Sequence, residues 1–180
     1  ALYSETLTVE LENEFLPFLY PNQYVNFSPD SEASKLALSM VSEDTSDIDA
    51  LKQIYNYVVN NLSYDYDKAE TVETGYLPDV DETLSTKTGI CFDYAALTTA
   101  MLRSCDIPCK LQIGYTGDIK HAWIDVYIRS KGWVTNAVSF NGDSWSLMDP
   151  TFDSSADSDD SEAIQDYIGN ADNYTVQFTR

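Results

Sequence analysis

Three cysteines and a single histidine are the scarcest reactive residues in this chain of 180 residues. The cysteines are Cys91, Cys105 and Cys109, and the histidine is His121. These four have the composition of a Cys3His zinc site, but apolar residues at three- to four-residue spacing predict one helix from Cys91 to Arg103. Because a helix rises about 1.5 Å per residue, Cys91 and Cys105 would lie roughly 20 Å apart. That separation argues against both a shared zinc ion and a disulfide bond between them.

Cys91 stands out from the other two cysteines. A bridge between Cys105 and Cys109 is open but strained by the intervening Asp-Ile-Pro turn, so two small buried thiols are the preferred interpretation. Gly89 interrupts the preceding segment, and Cys91 then begins the helix. A helix N-terminus offers free N–H groups and a positive dipole end, which favour a thiolate and can bind an oxyanion. The alternative is a buried structural cysteine.

His121 begins a stretch with strand-like alternation, residues 121–128. The alternation places His121, Trp123, Asp125 and Tyr127 on one face and four apolar residues on the other. A histidine in a strand is usually a polar residue satisfied by its neighbours. A cysteine nucleophile needs a base, however, and His121 is the one imidazole in the sequence.

Asp149 is the candidate for a third member of a catalytic triad. It lies in the run Trp145-Ser-Leu-Met-Asp149-Pro-Thr151, after an Asn141-Gly142 turn. We expect it where a strand next to the histidine strand ends. Its carboxylate would there accept the second imidazole N–H and fix the tautomer. The alternative is an ordinary turn aspartate before a proline.

The elements that must position these residues follow from the rest of the pattern. The polar stretch at 65–82 has little periodicity and is predicted to be a loop that borders the site. Strands joined by short turns imply an antiparallel sheet with the Cys91 helix packed on it, an α+β fold. The predicted helices are 32–41, 48–62, 91–103 and 162–168, and the predicted strands are 5–11, 109–115, 121–129, 133–140, 145–148 and 174–178.

The composition bounds the function classes. The formal net charge is −20, with 30 acidic and 10 basic residues, which repels phosphate backbones and argues against nucleic-acid binding. No apolar run approaches the roughly 18 residues of a membrane helix, and the length predicts a single domain over 1–180. The acidic stretch 153–162 lacks the glycine and glutamate positions of a calcium loop, so we interpret it as a solvated loop.

Five blocks of sequence resemble the transglutaminase-like core shared by bacterial and eukaryotic papain-like proteins. The resemblance covers about residues 45–153 and includes an upstream helix that ends in Tyr64-Asp65. The blocks are Thr-Gly-Ile-Cys91-Phe-Asp-Tyr-Ala, Met-Leu-Arg103-Ser-Cys-Asp-Ile-Pro108, Gly114-Tyr115, His121-Ala-Trp, and Trp145-Ser-Leu-Met-Asp149-Pro-Thr151. The N-terminal residues 1–44 and the C-terminal residues 154–180 would be additions to this core.

The resemblance implies roles for these residues. Cys91 would be the nucleophile, His121 the general base and acid, and Asp149 the residue that orients the histidine, with no metal and no cofactor. Residues 131–143 lengthen the connection before the last block, so Trp133 is a rival to Trp145 for its tryptophan. We prefer Trp145 because Asp-Pro-Thr follows it four residues later.

The oxyanion donors are less well marked in the sequence. The backbone N–H of Cys91 is the safer contributor, and Tyr64 is a weak candidate for a side-chain donor. Trp123 and Trp145 are weak candidates for cleft residues.

The predicted activity is acyl transfer at a peptide or carboxamide carbonyl through a thioester on Cys91. The acyl group would pass to water, as in a protease or amidase, or to a lysine amine, as in a cross-linking enzyme. A non-catalytic domain that binds proteins or glycans at a cell surface is the alternative, given 13 tyrosines and 3 tryptophans. The acidic composition, and a start at Ala1 that fits a removed leader, favour an extracellular or cell-surface location over a cytoplasmic one.

Overall fold

The computed structural model describes residues 12–140, 145–147 and 174–180. This part of the chain has five α-helices: α1 (Glu32–Met40), α2 (Asp47–Asn61), α3 (Tyr66–Thr71), α4 (Val80–Thr86) and α5 (Cys91–Ser104). Its strands are β1 (Ser63–Tyr64), β2 (Thr88–Gly89), β3 (Cys109–Thr116), β4 (Ile119–Ile128), β5 (Gly132–Phe140), β6 (Trp145–Leu147) and β7 (Tyr174–Thr179). A 3-10 turn at Leu16–Phe18 precedes them. The predicted helix at 91–103 and the predicted strands between 109 and 148 are confirmed to within two residues.

The larger sheet is antiparallel, with the strand order β6-β5-β4-β3-β7. The helix α5 packs on one face of this sheet. The predicted division of β4 into two faces is confirmed, because alternate residues from Ala122 to Ile128 lie in the core with Leu97 and Met101 of α5. The result is the predicted α+β fold, with the helix that begins at Cys91 at its centre.

The start and the core face of α2 follow from local sequence. Ser46 caps the helix by accepting a hydrogen bond of 3.1 Å from the backbone N–H of Asp49. Leu51, Ile54 and Val58 are buried along one side of this helix, as the apolar spacing predicts. Their burial anchors α2 and the short strand β1 that follows it.

The prediction that residues 65–82 form a loop is wrong. Asp65 caps α3 by accepting from the N–H of Lys68 at 2.8 Å, and Asp79 caps α4 by accepting from the N–H of Glu82 at 3.0 Å. These helices are six and seven residues long. Two turns are too few to display an apolar stripe, so the capping aspartates were the only available signal.

The expectation that the strand before Asp149 lies next to the histidine strand is also wrong. That strand is β6, and it pairs with β5 rather than with β4. Val138 of β5 pairs with Ile124 on one side and with Leu147 on the other, so β6 is two strand spacings, about 10 Å, from β4. The longer connection at 131–143 supplies the intervening strand. Five predictions lie outside the described residues: the strand at 5–11, the Asn141-Gly142 turn, Asp149 itself, the acidic loop at 153–162 and the helix at 162–168.

Candidate active site

The start of α5 is built by a carboxylate that folds back over a glycine. Asp93, the third residue of the helix, is fully buried, and its Oδ2 accepts a hydrogen bond of 2.8 Å from the backbone N–H of Ile90. A Cβ on Gly89 would lie 2.7 Å from the Cβ of Asp93, closer than such atoms approach in folded proteins. Glycine at 89 and aspartate at 93 therefore fix together the turn that presents Cys91.

Tyr64 reaches Cys91 through a small parallel ladder. Strand β1 pairs with β2 so that Tyr64 lies opposite Gly89, and the N–H of Asp65 donates to the Gly89 carbonyl at 2.9 Å. In this position the Tyr64 hydroxyl donates to the Cys91 sulfur and accepts from the Cys91 backbone N–H. The pairing of two-residue strands thus brings the weakly predicted Tyr64 to the nucleophile candidate.

Burial has the largest effect on the pKa of the Cys91 thiol. It raises the pKa of this thiol, and the nearby Asp93 carboxylate raises it further. Hydrogen bonds from the backbone N–H groups of Ala122 and Phe92, and from Tyr64, lower the pKa but do not outweigh burial. The expectation that the helix N-terminus favours a resting thiolate therefore differs from what the structure indicates, because desolvation exceeds the effect of these donors.

His121 directly precedes Ala122, whose backbone N–H donates to the Cys91 sulfur. Its ring stacks on that of Trp123, with centroids 6.1 Å apart and planes at 19°. His121 is 8% exposed, and burial lowers its pKa to about 4. The imidazole is therefore neutral near neutral pH, which is the form that accepts a proton.

The other predicted site residues take different places. Trp123 is buried between His121 and Tyr174, whose ring centroid is 5.1 Å away, so it supports the histidine strand rather than lining an open cleft. Trp145 begins β6 and pairs with Phe140 of β5. Asp149 lies outside the described residues, and its role stays a prediction.

The remaining cysteines lie at or beyond the other end of α5. Cys105 follows the last residue of the helix, and Cys109 begins β3. All three cysteines are free thiols. The thiol of Cys109 contacts the Thr99 hydroxyl at 3.5 Å, and burial raises its pKa to about 12. Cys109 is therefore the small buried thiol that the sequence predicted, whereas Cys105 is only partly buried.

Two residues near the site were missed by the sequence reasoning. Lys68 and Tyr76 both contact Asp93, with distances of 2.8 Å to Oδ2 and 2.5 Å to Oδ1. Both belong to the stretch predicted to be a loop. Their sequence neighbours carry no motif, so only the tertiary arrangement shows that they converge on the start of α5.

The described part of the chain contains neither a metal-binding cluster nor a membrane-spanning helix. No group of three or more His, Cys, Asp and Glu residues is placed to hold a metal ion among residues 12–140, 145–147 and 174–180. Nor does any helix within these ranges have the length and apolar character needed to cross a membrane.

Comparison with known proteins identifies the family. A family model described as "Transglutaminase-like superfamily" matches residues 34–150, which is more than half of the chain. The chain belongs to the transglutaminase-like superfamily. The matched region contains Cys91, His121 and Asp149. The structure is therefore a cysteine-based catalytic fold of the transglutaminase-like type.

Relatives of this transglutaminase-like chain include proteins of archaea and bacteria. It is 40% identical over 62 residues to UPF0252 protein MJ1282 of Methanocaldococcus jannaschii, which covers 32% of the chain and 18% of that protein. It is 25% identical over 154 residues to the protein YebA of Bacillus subtilis, which covers 73% of the chain and 21% of that protein. The chain thus spans about a fifth of the length of these relatives.

A crystal structure shares the fold. This is a candidate cysteine protease from Cytophaga hutchinsonii, which matches with a TM-score of 0.55 and 23% sequence identity. The match covers 74% of this chain and 43% of that one. At this identity the likeness supports the fold of the transglutaminase-like chain and no particular substrate.

Proposed function

We propose that this transglutaminase-like chain catalyses acyl transfer at a peptide or carboxamide carbonyl, with Cys91 as nucleophile and His121 as general base. The observation that carries the proposal is the setting of the Cys91 sulfur. It lies at the start of α5 among N–H groups of Ala122 and Phe92 and the Tyr64 hydroxyl, next to the strand position of His121. A cysteine with only a packing role has no need of such a ring of donors.

The pKa directions support a general-base mechanism that starts from neutral groups. Burial raises the pKa of the Cys91 thiol and lowers the pKa of His121 to about 4. The sulfur would attack the carbonyl carbon while its proton passes to the imidazole, which must come within about 3 Å of the sulfur. The carbon–nitrogen bond then breaks, and the imidazolium returns the proton to the leaving amine. The products of this half-reaction are a thioester on Cys91 and a free amine.

The oxyanion of the tetrahedral intermediate would be held by two donors. These are the Cys91 backbone N–H and the Tyr64 hydroxyl, which contact each other in the substrate-free structure. Burial, followed by the charge of Cys91, raises the pKa of Tyr64 to about 12, so the phenol keeps its proton. A substrate carbonyl oxygen would take the place beside the N–H and receive both hydrogen bonds.

Asp149 is the proposed orienting residue for His121. Its carboxylate would accept the second imidazole N–H and hold the tautomer whose free nitrogen faces the thiol. The support is its place in the sequence block Trp-Ser-Leu-Met-Asp-Pro-Thr, two residues beyond the end of β6. Substitution by asparagine keeps the shape and removes the charge, which makes D149N the informative variant.

The substrate class we propose is protein or peptide, and the second step decides the outcome. Water would release an acid, which is a protease or amidase reaction, whereas a lysine amine would form a cross-link. Exclusion of water from the thioester decides between these two fates. We also propose that residues 1–180 form one domain that acts outside the cell or at its surface, which the acidic composition supports.

Acylation by p-nitrophenyl acetate tests the first step. We expect a burst of nitrophenolate equal to the protein concentration and an acetyl group on Cys91 by peptide mass spectrometry. H121N and D149N should each slow the burst by about 10²- to 10⁴-fold while leaving the fold intact by circular dichroism. Wild-type protein that gives no acyl-Cys91 would contradict the proposal and favour the binding domain.

Incorporation of a fluorescent primary amine tests the second step. With casein as acyl donor and monodansylcadaverine as amine, a cross-linking enzyme labels casein in a Cys91-dependent way. A hydrolase instead releases peptides or ammonia without labelling. The C91A variant is the control for both readouts.

A further inference from the structure

Asp93 presents an electrostatic problem at the start of α5. Its carboxylate is fully buried two residues from Cys91, where it caps the N–H of Ile90. A buried negative charge this close to a thiol opposes formation of the thiolate, and an unpaired buried carboxylate is costly in itself. The nucleophile helix therefore needs a counter-charge for its own cap.

Lys68 supplies this counter-charge from the preceding helix α3. Its Nζ donates to Oδ2 of Asp93 at 2.8 Å and to the Tyr76 hydroxyl at 2.7 Å. The Tyr76 hydroxyl in turn donates to Oδ1 of Asp93, and the Lys68 ammonium lies 4.5 Å from the centroid of the Tyr76 ring. The three side chains form a closed ring of hydrogen bonds in which the lysine side chain is 31% exposed and the aspartate 0%.

The protonation of this ring is stable near neutral pH. Burial opposes the charge on Lys68, but hydrogen bonds with Asp93 and Tyr76 outweigh it and raise the lysine pKa. Burial, followed by the hydrogen bond with Asp93, raises the pKa of Tyr76 to about 12. Both donors thus keep the protons with which they bind Asp93.

We propose that Lys68 is a positioning residue for Cys91: by pairing with Asp93 it neutralises the buried carboxylate beside the nucleophile and ties α3 to the start of α5. This inference rests on the proposed role of Cys91 as nucleophile. Lys68 acts through Asp93 and touches neither the sulfur nor the reacting carbonyl. Tyr76 completes the ring and holds the lysine in place.

Other titratable groups around this site have to be considered in any test by pH. Tyr64 of β1 interacts with Cys91, Tyr94 of α5 interacts with Asp93, and His121 of β4 precedes Ala122, whose N–H donates to the Cys91 sulfur. Burial raises the pKa of Tyr64 to about 12 and also raises the pKa of Tyr94 well above its ordinary value, so neither phenol ionises below pH 10. His121 loses its proton near pH 4. None of these three groups changes its charge between pH 6 and 10, so a change in Cys91 alkylation over that range does not come from their titration.

The test follows the pH dependence of Cys91 alkylation by iodoacetamide, measured for individual peptides by mass spectrometry. Alkylation requires only an ionised thiol, so the result does not depend on turnover. We expect K68M to raise the midpoint for Cys91 by about one pH unit, a loss of roughly tenfold in rate below the midpoint. K68R keeps the charge and should stay near the wild-type midpoint. Cys105 in the same protein is the internal control, and its profile should not move.

The double variant separates charge from mere structure. In K68M/D93N the carboxylate that Lys68 neutralises is gone, so the midpoint for Cys91 should return to the wild-type value or below it. D93N alone should lower the midpoint, and it keeps the proposal testable if K68M does not fold. A folded K68M with the wild-type midpoint, or a shift that D93N does not reverse, would overturn the role of Lys68. If Cys91 is not acylated but K68M still raises the alkylation midpoint of Cys91 as expected, only the proposed reaction is contradicted.

Discussion

The two ends of α5 carry cysteines in opposite settings. At the N-terminal end, the Cys91 sulfur receives hydrogen bonds from the backbone N–H groups of Ala122 and Phe92 and from the Tyr64 hydroxyl. At the C-terminal end, Cys105 follows the helix, where its N–H donates to the Leu102 carbonyl at 3.0 Å. Burial and then the charge of Asp106 raise the pKa of Cys105 to about 11. Hydrogen-bond donors thus converge on the Cys91 sulfur, whereas burial and the charge of Asp106 are the causes that act on the Cys105 thiol.

This difference shows that helix polarity and side-chain neighbours act together on a thiol. The dipole of α5 favours negative charge at Cys91 and opposes it at Cys105. At Cys91, burial still raises the pKa of the resting thiol, so the dipole alone does not make a thiolate. Cys91 differs from Cys105 in its set of donors, which can stabilise the charge that develops on attack. It also differs in having the imidazole of His121 on the neighbouring strand β4.

The largest expected effect comes from exchanging the two cysteines for alanine separately. C91A should abolish acylation by p-nitrophenyl acetate, a loss of about 10³-fold or more, because the nucleophile itself is removed. C105A should keep the wild-type burst, since Cys105 lies at the opposite end of α5 from Cys91 and burial raises the pKa of its thiol to about 11. Stopped-flow detection of nitrophenolate measures both. Equal losses in the two variants would break the comparison.

The stability of the fold in acid should depend on His121, which lies near the N-terminal end of α5. The pKa of His121 is about 4 in the folded chain, below the ordinary 6.5. As pH falls through 6.5 the unfolded chain gains a proton that the folded chain does not bind, so the free energy of unfolding decreases until about pH 4. The total loss should be roughly 3 kcal/mol. Urea unfolding at several pH values measures it.

The control for this pH dependence is the H121Q variant. Carboxylates also titrate in this range, so the prediction concerns the difference between wild type and H121Q rather than either curve alone. The free energy of unfolding of the wild type minus that of H121Q should decrease steadily from pH 7 to pH 4. A constant difference would show that the imidazole is not buried in its neutral form.

Adding a Cβ at Gly89, just before α5, and removing one at Asp106, just after it, should affect the stability of the fold differently. G89A places a Cβ 2.7 Å from that of Asp93, and we expect it to cost about 2 kcal/mol and to slow acylation by disturbing the cap. Asp106, at the other end, has a φ of 57°, so D106G should be neutral or stabilising by up to about 1 kcal/mol. Thermal unfolding compares the two, and a destabilised D106G would contradict the account.

The smallest expected effect on activity is that of Y64F. Removal of one hydroxyl donor leaves the Cys91 backbone N–H in place, so we expect about a tenfold loss in acylation rate, equivalent to about 1.4 kcal/mol. Y66F is the matched control, because Tyr66 lies 5.0 Å from Tyr64 between ring centroids and is 58% exposed. An unchanged Y64F would remove Tyr64 from the oxyanion site.

Local sequence was sufficient for the elements that carry the two main candidates. Apolar spacing predicted the helix that begins at Cys91, and strict alternation predicted the strand that presents His121 and its two faces. Both elements are long enough for the spacing of their apolar residues to show the helical and the strand period. The short helices α3 and α4 were missed because they bury too few residues to leave such a pattern in the sequence.

The sequence by itself thus determined the family, the α+β class and the scarcity that leaves His121 as the one histidine partner for Cys91. Only the tertiary structure decided which side chains surround the sulfur. The pairing of Tyr64 with Gly89 and the convergence of Lys68 and Tyr76 on Asp93 join residues up to 25 positions apart. It also placed β5 between β4 and β6. Contacts of this kind depend on how chain segments pack and on what burial does to charge, and neither leaves a periodic trace along the chain.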